Sequence, residues 1–173
     1  MTYSLYQSSV PSFIAMLTNM SNWLDKAASE KDEASLIEAK LAPDMFALAR
    51  QIQIASDTAK GAAARLTATQ APEMPDTEAN FAELKARCGK TIAYLHSVDP
   101  AAYNAGAERE VVINFPNGGG IRFDGTTFLT GYALPNFYFH ASCAYAILRA
   151  EGVNVGKQDY LAHLAPFMFA PPA

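Results

Sequence analysis

The sequence is poor in charge, and charged residues make up only 17% of its 173 positions. Net charge is −4, and no run of Lys or Arg occurs anywhere. A polyanion or an anionic bilayer binds through clustered positive charge, so nucleic acid and membrane surface are poor partners. Cysteine is nearly absent, with two residues, and two do not build a disulfide framework in a chain of this length. No stretch of eighteen consecutive apolar residues exists, so no spanning helix is expected. The first thirty residues lack a basic start followed by an unbroken apolar run, so no secretory signal is read there. Internal repeats and low-complexity tracts are also missing. These absences leave a soluble, cytoplasmic protein as the expectation.

What is present is alanine. There are 32 alanines, and half of all residues are hydrophobic. This composition fits closely packed helices around one substantial core, and a single domain over 1–173 is expected. Ser4 with Gln7 has the spacing of a capping box. Val10, Phe13, Ile14, Leu17, Met20 and Leu24 then recur at three- and four-residue steps, which predicts a first helix to about residue 28. Pro11 lies inside it and predicts a kink. Pro43 and Asp44 suit the start of a second helix. Its stripe is Met45, Leu48, Ile52, Ala55, Ala59, Ala62 and Leu66, alanine-lined in its second half. Asp76 is placed to cap a third helix that carries Phe81, Leu84, Cys88 and Leu95 and ends at Asp99-Pro100.

The pattern then changes. Residues 110–115 are β-branched and short, Pro116 to Gly120 is turn material, and Ile121-Arg122-Phe123 returns as a second strand. A lone hairpin is marginal, so it must lie against the helices or a partner. A fourth helix follows from about Thr127 to Glu151, with Gly152 as its left-handed terminus. A short turn occupies Lys157 to His163. The apolar, Pro-rich stretch Ala165 to Ala173 is expected to cover a surface or an interface. The class is all-α: an up-down four-helix bundle with a small β-hairpin between helices three and four.

The fourth helix holds the unusual chemistry. At 100° per residue, Leu129, Tyr132, Asn136, His140, Cys143 and Ile147 fall within roughly 80° of one another. Asn136 and His140 are one turn apart in the middle of an apolar stripe. A buried polar group without a partner costs roughly 1–3 kcal/mol, so the pair should meet polar groups, water or a ligand. On the second helix, Gln51 lies about 60° from the stripe centre, Gln53 about 140° away, and Asp57 nearly opposite. Gln51 is the best-placed partner for His140. Asp57 is chemically stronger and geometrically weaker. His140 then reads as a core histidine bonded to Asn136 or Gln51, as a pocket residue, or as a metal ligand. Cys143 reads as an inert core thiol rather than one activated by imidazole. Gly118-Gly119-Gly120 is a turn, without the setting or the lysine of a phosphate loop.

Several segments carry a resemblance. They are Pro43-Asp44-Met45-Phe46, the run from Ala49 to Asp57, Leu134-Pro135-Asn136-Phe137-Tyr138-Phe139-His140, Ala144 to Arg149, and Gly156 to Tyr160. Together the chain resembles a bacterial domain-of-unknown-function family grouped with the DinB/YfiT-like helical bundles, a superfamily of metalloenzyme candidates. The resemblance implies a four-helix bundle, often dimeric. It also implies a divalent metal such as nickel or zinc held by three histidines, one on the second helix and two, four apart, on the fourth. In this chain His140 matches the second of that pair, Asn136 stands where the first would be, and Gln51 or Gln53 stands at the second-helix position. An amide oxygen is a weak neutral ligand beside imidazole. No cofactor is therefore expected beyond zinc or nickel at low occupancy, with His140 as the candidate ligand.

Gln51, Asn136, His140 and Asp57 form the candidate ligand site. Three functions remain open: a degenerate-site bundle binding a small molecule, a metal-dependent enzyme of the thiol-dependent transferase kind, or a non-catalytic dimeric interaction protein. A homodimer is expected in each.

Overall fold

A computed structural model describes residues 4–169. The first helix, α1, spans Leu5–Glu30, with Ser4 Oγ accepting from the Gln7 N–H, and it continues through Pro11. A short α2, Glu33–Ile37, follows. The second long helix, α3, covers Leu48–Thr67 and the third, α4, covers Phe81–His96. A turn, α5 (Pro100–Asn104), leads into strands β1 (Val111–Asn114) and β2 (Gly120–Phe123). The fourth long helix is composite. It comprises α6 (Gly125–Thr127), one π-helical turn (Phe128–Ala133) and α7 (Leu134–Ala150). The chain closes with α8 (Lys157–Tyr160) and a 3-10 turn (Ala162–Phe167). The last four residues of the expected apolar tail lie outside the described residues.

Two expected helix starts are corrected. Pro43 and Asp44 do not open α3. They lie in a turn closed by the Met45 N–H on the Ala42 carbonyl, and the Leu48 N–H bonds the Ala39 carbonyl. Backbone groups that a longer helix would need are already engaged there. Asp76 does not cap α4. Its carboxylate pairs with Arg50 and Arg87, and Asn80 takes the cap, its Oδ1 accepting from the Glu83 N–H at 2.9 Å. The connection 68–80 is therefore longer than expected. It carries the chain back along α3, so Glu78 lies beside Gln53. The single turn expected over Lys157 to His163 is two short elements, α8 and the 3-10 turn, and the second extends into the apolar tail.

Each long helix packs on two others, in the order α1, α4, α3, α7 around the bundle. Side-chain pairs Lys85–Asp25 and His140–Gln51 belong to the antiparallel neighbours α1/α4 and α3/α7. Alanines 55, 59, 62 and 63 of α3 are fully buried and let the neighbouring helices approach closely. Trp23, Tyr103, Phe13, Phe128 and Phe137 are the largest buried side chains among the described residues.

The hairpin is antiparallel, with Val111 opposite Phe123 and Asn114 opposite Gly120. It docks against the end of α3 through two glycines. A Cβ on Gly106 would strike the Leu66 carbonyl, and one on Gly125 would strike the Gly106 carbonyl. Only glycine permits that approach. Phe123 then packs against Phe128 and Tyr132, with ring centroids 6.1 and 5.8 Å away. Gly152 sits at φ 77° just past α7, the left-handed terminus expected there. Among the described residues, no helix is long and apolar enough to cross a membrane.

Candidate functional site

The α3/α7 interface brings Gln51 to His140. His140 Nδ1 lies 2.7 Å from Gln51 Oε1, and both residues are buried. Gln51 Nε2 donates to the Phe46 carbonyl at 3.0 Å, which turns the amide oxygen toward the ring. A carbonyl oxygen can only accept, so Nδ1 carries the proton and Nε2 holds the lone pair. Burial pulls the His140 pKa below its ordinary value, and the positive charge of Arg50 adds to that. The imidazole is therefore neutral at pH 7.

Asn136 does not pair with His140. It is half-buried and donates to Thr58 Oγ1 at 2.9 Å. The Thr58 hydroxyl gives its own proton to the Ile54 carbonyl at 2.7 Å, so it can only accept from Asn136. The two stripe residues are one regular turn apart on α7 but meet different residues of the antiparallel α3, Thr58 and Gln51. Pro135 has no N–H to donate back to residue 131, and the turn before it widens to i→i+5 bonding. The inserted residue rotates everything upstream of α7, so the stripe from Leu129 to Ile147 is not one straight face. Tyr132, within the π-helical turn, lines a cleft together with Asn136.

That cleft, about 260 Å³, lies between α3, the π-helical turn and the hairpin. Ile54, Ile113, Phe128, Tyr132 and Ala133 give it apolar walls, and Arg50, Asp57, Thr58, Arg65 and Asn136 give it polar ones. Two of the expected site residues, Asp57 and Asn136, thus share a cavity. The other two, Gln51 and His140, form the buried pair one turn away, joined to the cleft through Arg50.

The sequence reading missed the strongest electrostatic feature. Arg87 of α4 has a side chain only 1% exposed. It reaches Asp57 at 2.6 Å, Glu78 at 2.9 Å and Asp76 at 2.9 Å. Its Nε also donates to Ser56, whose hydroxyl meets Thr91 at 2.7 Å. Lys60 joins at Asp57 from one turn away, at 3.0 Å. Burial alone would raise the Glu78 carboxyl, but the Arg87 hydrogen bond and charge, helped by Gln53, hold it below the usual carboxylate range. Arg87 feels the opposite pull: burial lowers it, and Glu78 with Asp57 outweigh that. The signal was available, because Arg87 follows Leu84 by three and precedes Thr91 by four, on the buried stripe.

The donor set does not fit a three-histidine centre. Gln51 gives its oxygen to an N–H of His140, Asn136 gives its nitrogen to Thr58, and Gln53 donates to Glu78 at 2.9 Å. One imidazole remains, and zinc or nickel needs several such donors. Among the described residues, no three His, Cys, Asp or Glu side chains cluster as a metal site. His96 is exposed at the end of α4, and His163 accepts from Asn19 at 3.0 Å. Cys143 is buried, and burial raises its thiol pKa, the opposite of activation. Cys88 is pushed up to about 11, first by burial.

The bundle order, the composite fourth helix and the hairpin before it define a DinB-like helical bundle. A solved structure described as a DinB family member protein from Shewanella denitrificans superposes with a TM-score of 0.84 at 39% identity, covering 96% of each chain. The chain matches the domain of unknown function DUF1993 over residues 5–161 and belongs to that family. No curated protein matches it.

Proposed function

We propose that this DinB-like bundle has exchanged metal coordination for an amide–imidazole pair and binds a small molecule in the adjoining cleft. The Gln51–His140 hydrogen bond carries the reading, because it commits the amide oxygen that would otherwise face a metal. It also assigns the neutral imidazole its tautomer, as a carbonyl behind a ligating histidine does, while the companion donors are absent from the set. Purified protein should hold well under one equivalent of zinc or nickel by elemental analysis. Near-stoichiometric metal would overturn the reading and restore the metal-dependent enzyme.

A second reading concerns assembly. Leu164, Phe167, Met168 and Phe169 are exposed, the last three by 78% or more. Contiguous apolar exposure of this kind marks an interaction surface, and a second copy of the chain is the proposed partner. Light scattering should then give about twice the 18.6 kDa of one chain. A monomer at micromolar concentration would remove the proposal.

A further inference from the structure

The cleft contains two arginines, and they differ in what they touch. Arg50 Nη1 pairs with Asp76 and donates to Gln53 Oε1 at 3.2 Å. The carboxylate in the lining, Asp57, is matched by Arg87 and Lys60. Arg65 is exposed and has no acidic partner among the described residues. Its guanidinium is nonetheless placed. It lies back along α3 over Gly61, where a Cβ would sit 2.5 Å from Nη1, and its Cζ is 5.9 Å from the centre of the Phe128 ring. The glycine leaves the space that lets the side chain lie flat, and the ring holds it there.

We propose that the small molecule taken by this cleft is a monoanionic carboxylate with a flat apolar body, and that Arg65 is its anion-binding residue. The proposal rests on the cleft being the ligand site. A planar guanidinium fork matches a carboxylate with two parallel hydrogen bonds. Asp57 in the same wall is already matched by Arg87 and Lys60, so among the described residues Arg65 is the one lining charge left to pair with a single carboxylate. Ile54 and Phe128 offer the apolar body its contact. The volume, about 260 Å³, falls just under the usual range of roughly 300–1,000 Å³ and limits the ligand to about one ring.

The test compares benzoate with neutral benzamide by NMR titration of the folded protein. Benzoate should shift cleft resonances at millimolar concentration, and benzamide should bind at least about tenfold more weakly. Arg65→Gln, at an exposed position, should bring benzoate down to the benzamide level and leave benzamide unchanged. Gly61→Ala should weaken benzoate in the same way by displacing the guanidinium, while helix stability is retained or raised. Equal binding of the two probes, or benzoate binding indifferent to both substitutions, overturns the anion assignment and leaves the cleft reading in place. Failure of both probes to shift the cleft overturns both.

Discussion

The two faces of α3 solve the same problem in opposite ways. Toward α7 the helix presents Gln51 and Thr58, which make neutral hydrogen bonds to His140 and Asn136. Toward α4 it presents Ser56 and Asp57, which join a network of one buried arginine and several carboxylates. The neutral face borders the cleft, and the charged face anchors the connection 68–80. A buried charge is tolerated only with its counter-charges in place, so the α4 face is rigidly specified. Neutral pairs hold the α7 side, and the charged groups beside them are Arg50, Asp57 and Arg65 in the cleft lining.

The sharpest way to break this contrast is Arg87→Met. It leaves Glu78 and Asp57 facing a partly desolvated space, and unfolding stability should fall by about 3–5 kcal/mol in denaturant titration. A loss under about 1 kcal/mol would mean the charged face is no anchor. On the neutral face the effect should be smaller. His140→Ala leaves the Gln51 oxygen without a donor and should cost about 1–3 kcal/mol. His140→Asn keeps a donor near the Nδ1 position and should recover part of that. A melting temperature unchanged by the alanine would show that the pair contributes little.

The smallest effect is on pH dependence, where the faces should separate into two windows. The folded-state pKa of His140 is lowered, so the unfolded chain binds the proton more readily. Stability should therefore begin to fall as pH drops below about 6.5, and His140→Asn should remove that slope. Glu78 is also held low, so its contribution is complete above about 4.5 and is lost as pH falls through its folded value. Glu78→Gln should flatten this lower window and leave the upper one. A single acid transition unaffected by either substitution would argue that both groups titrate alike in the two states.

The comparison also explains which parts of the site were legible. Gln51 as the partner of His140 followed from helical angles, because both lie on regular stretches of α3 and α7. The expected pairing of Asn136 with His140 failed although both lie on regular α7, because Thr58 and Gln51 of α3 each engage one of them. The helix starts at Pro43 and Asp76 failed for a related reason. Each residue has good local credentials, but tertiary partners claimed the surrounding backbone or the carboxylate itself. Arg87 was passed over because a charged residue on a buried stripe is usually at its edge, and nothing local shows that Asp57, Asp76 and Glu78 converge on it.

Local sequence was enough for the four long helices, the hairpin and its turn, the left-handed glycine after α7 and the alanine-lined face of α3. These depend on periodicity, propensity and capping, which act over a few residues. Tertiary structure alone decided the return of 68–80 along α3, the burial of Arg87 among three carboxylates, and the cleft in which Arg65 has no acidic partner among the described residues. These depend on charges and backbone groups far apart in the chain. Their energies arise only when packing removes water from between them.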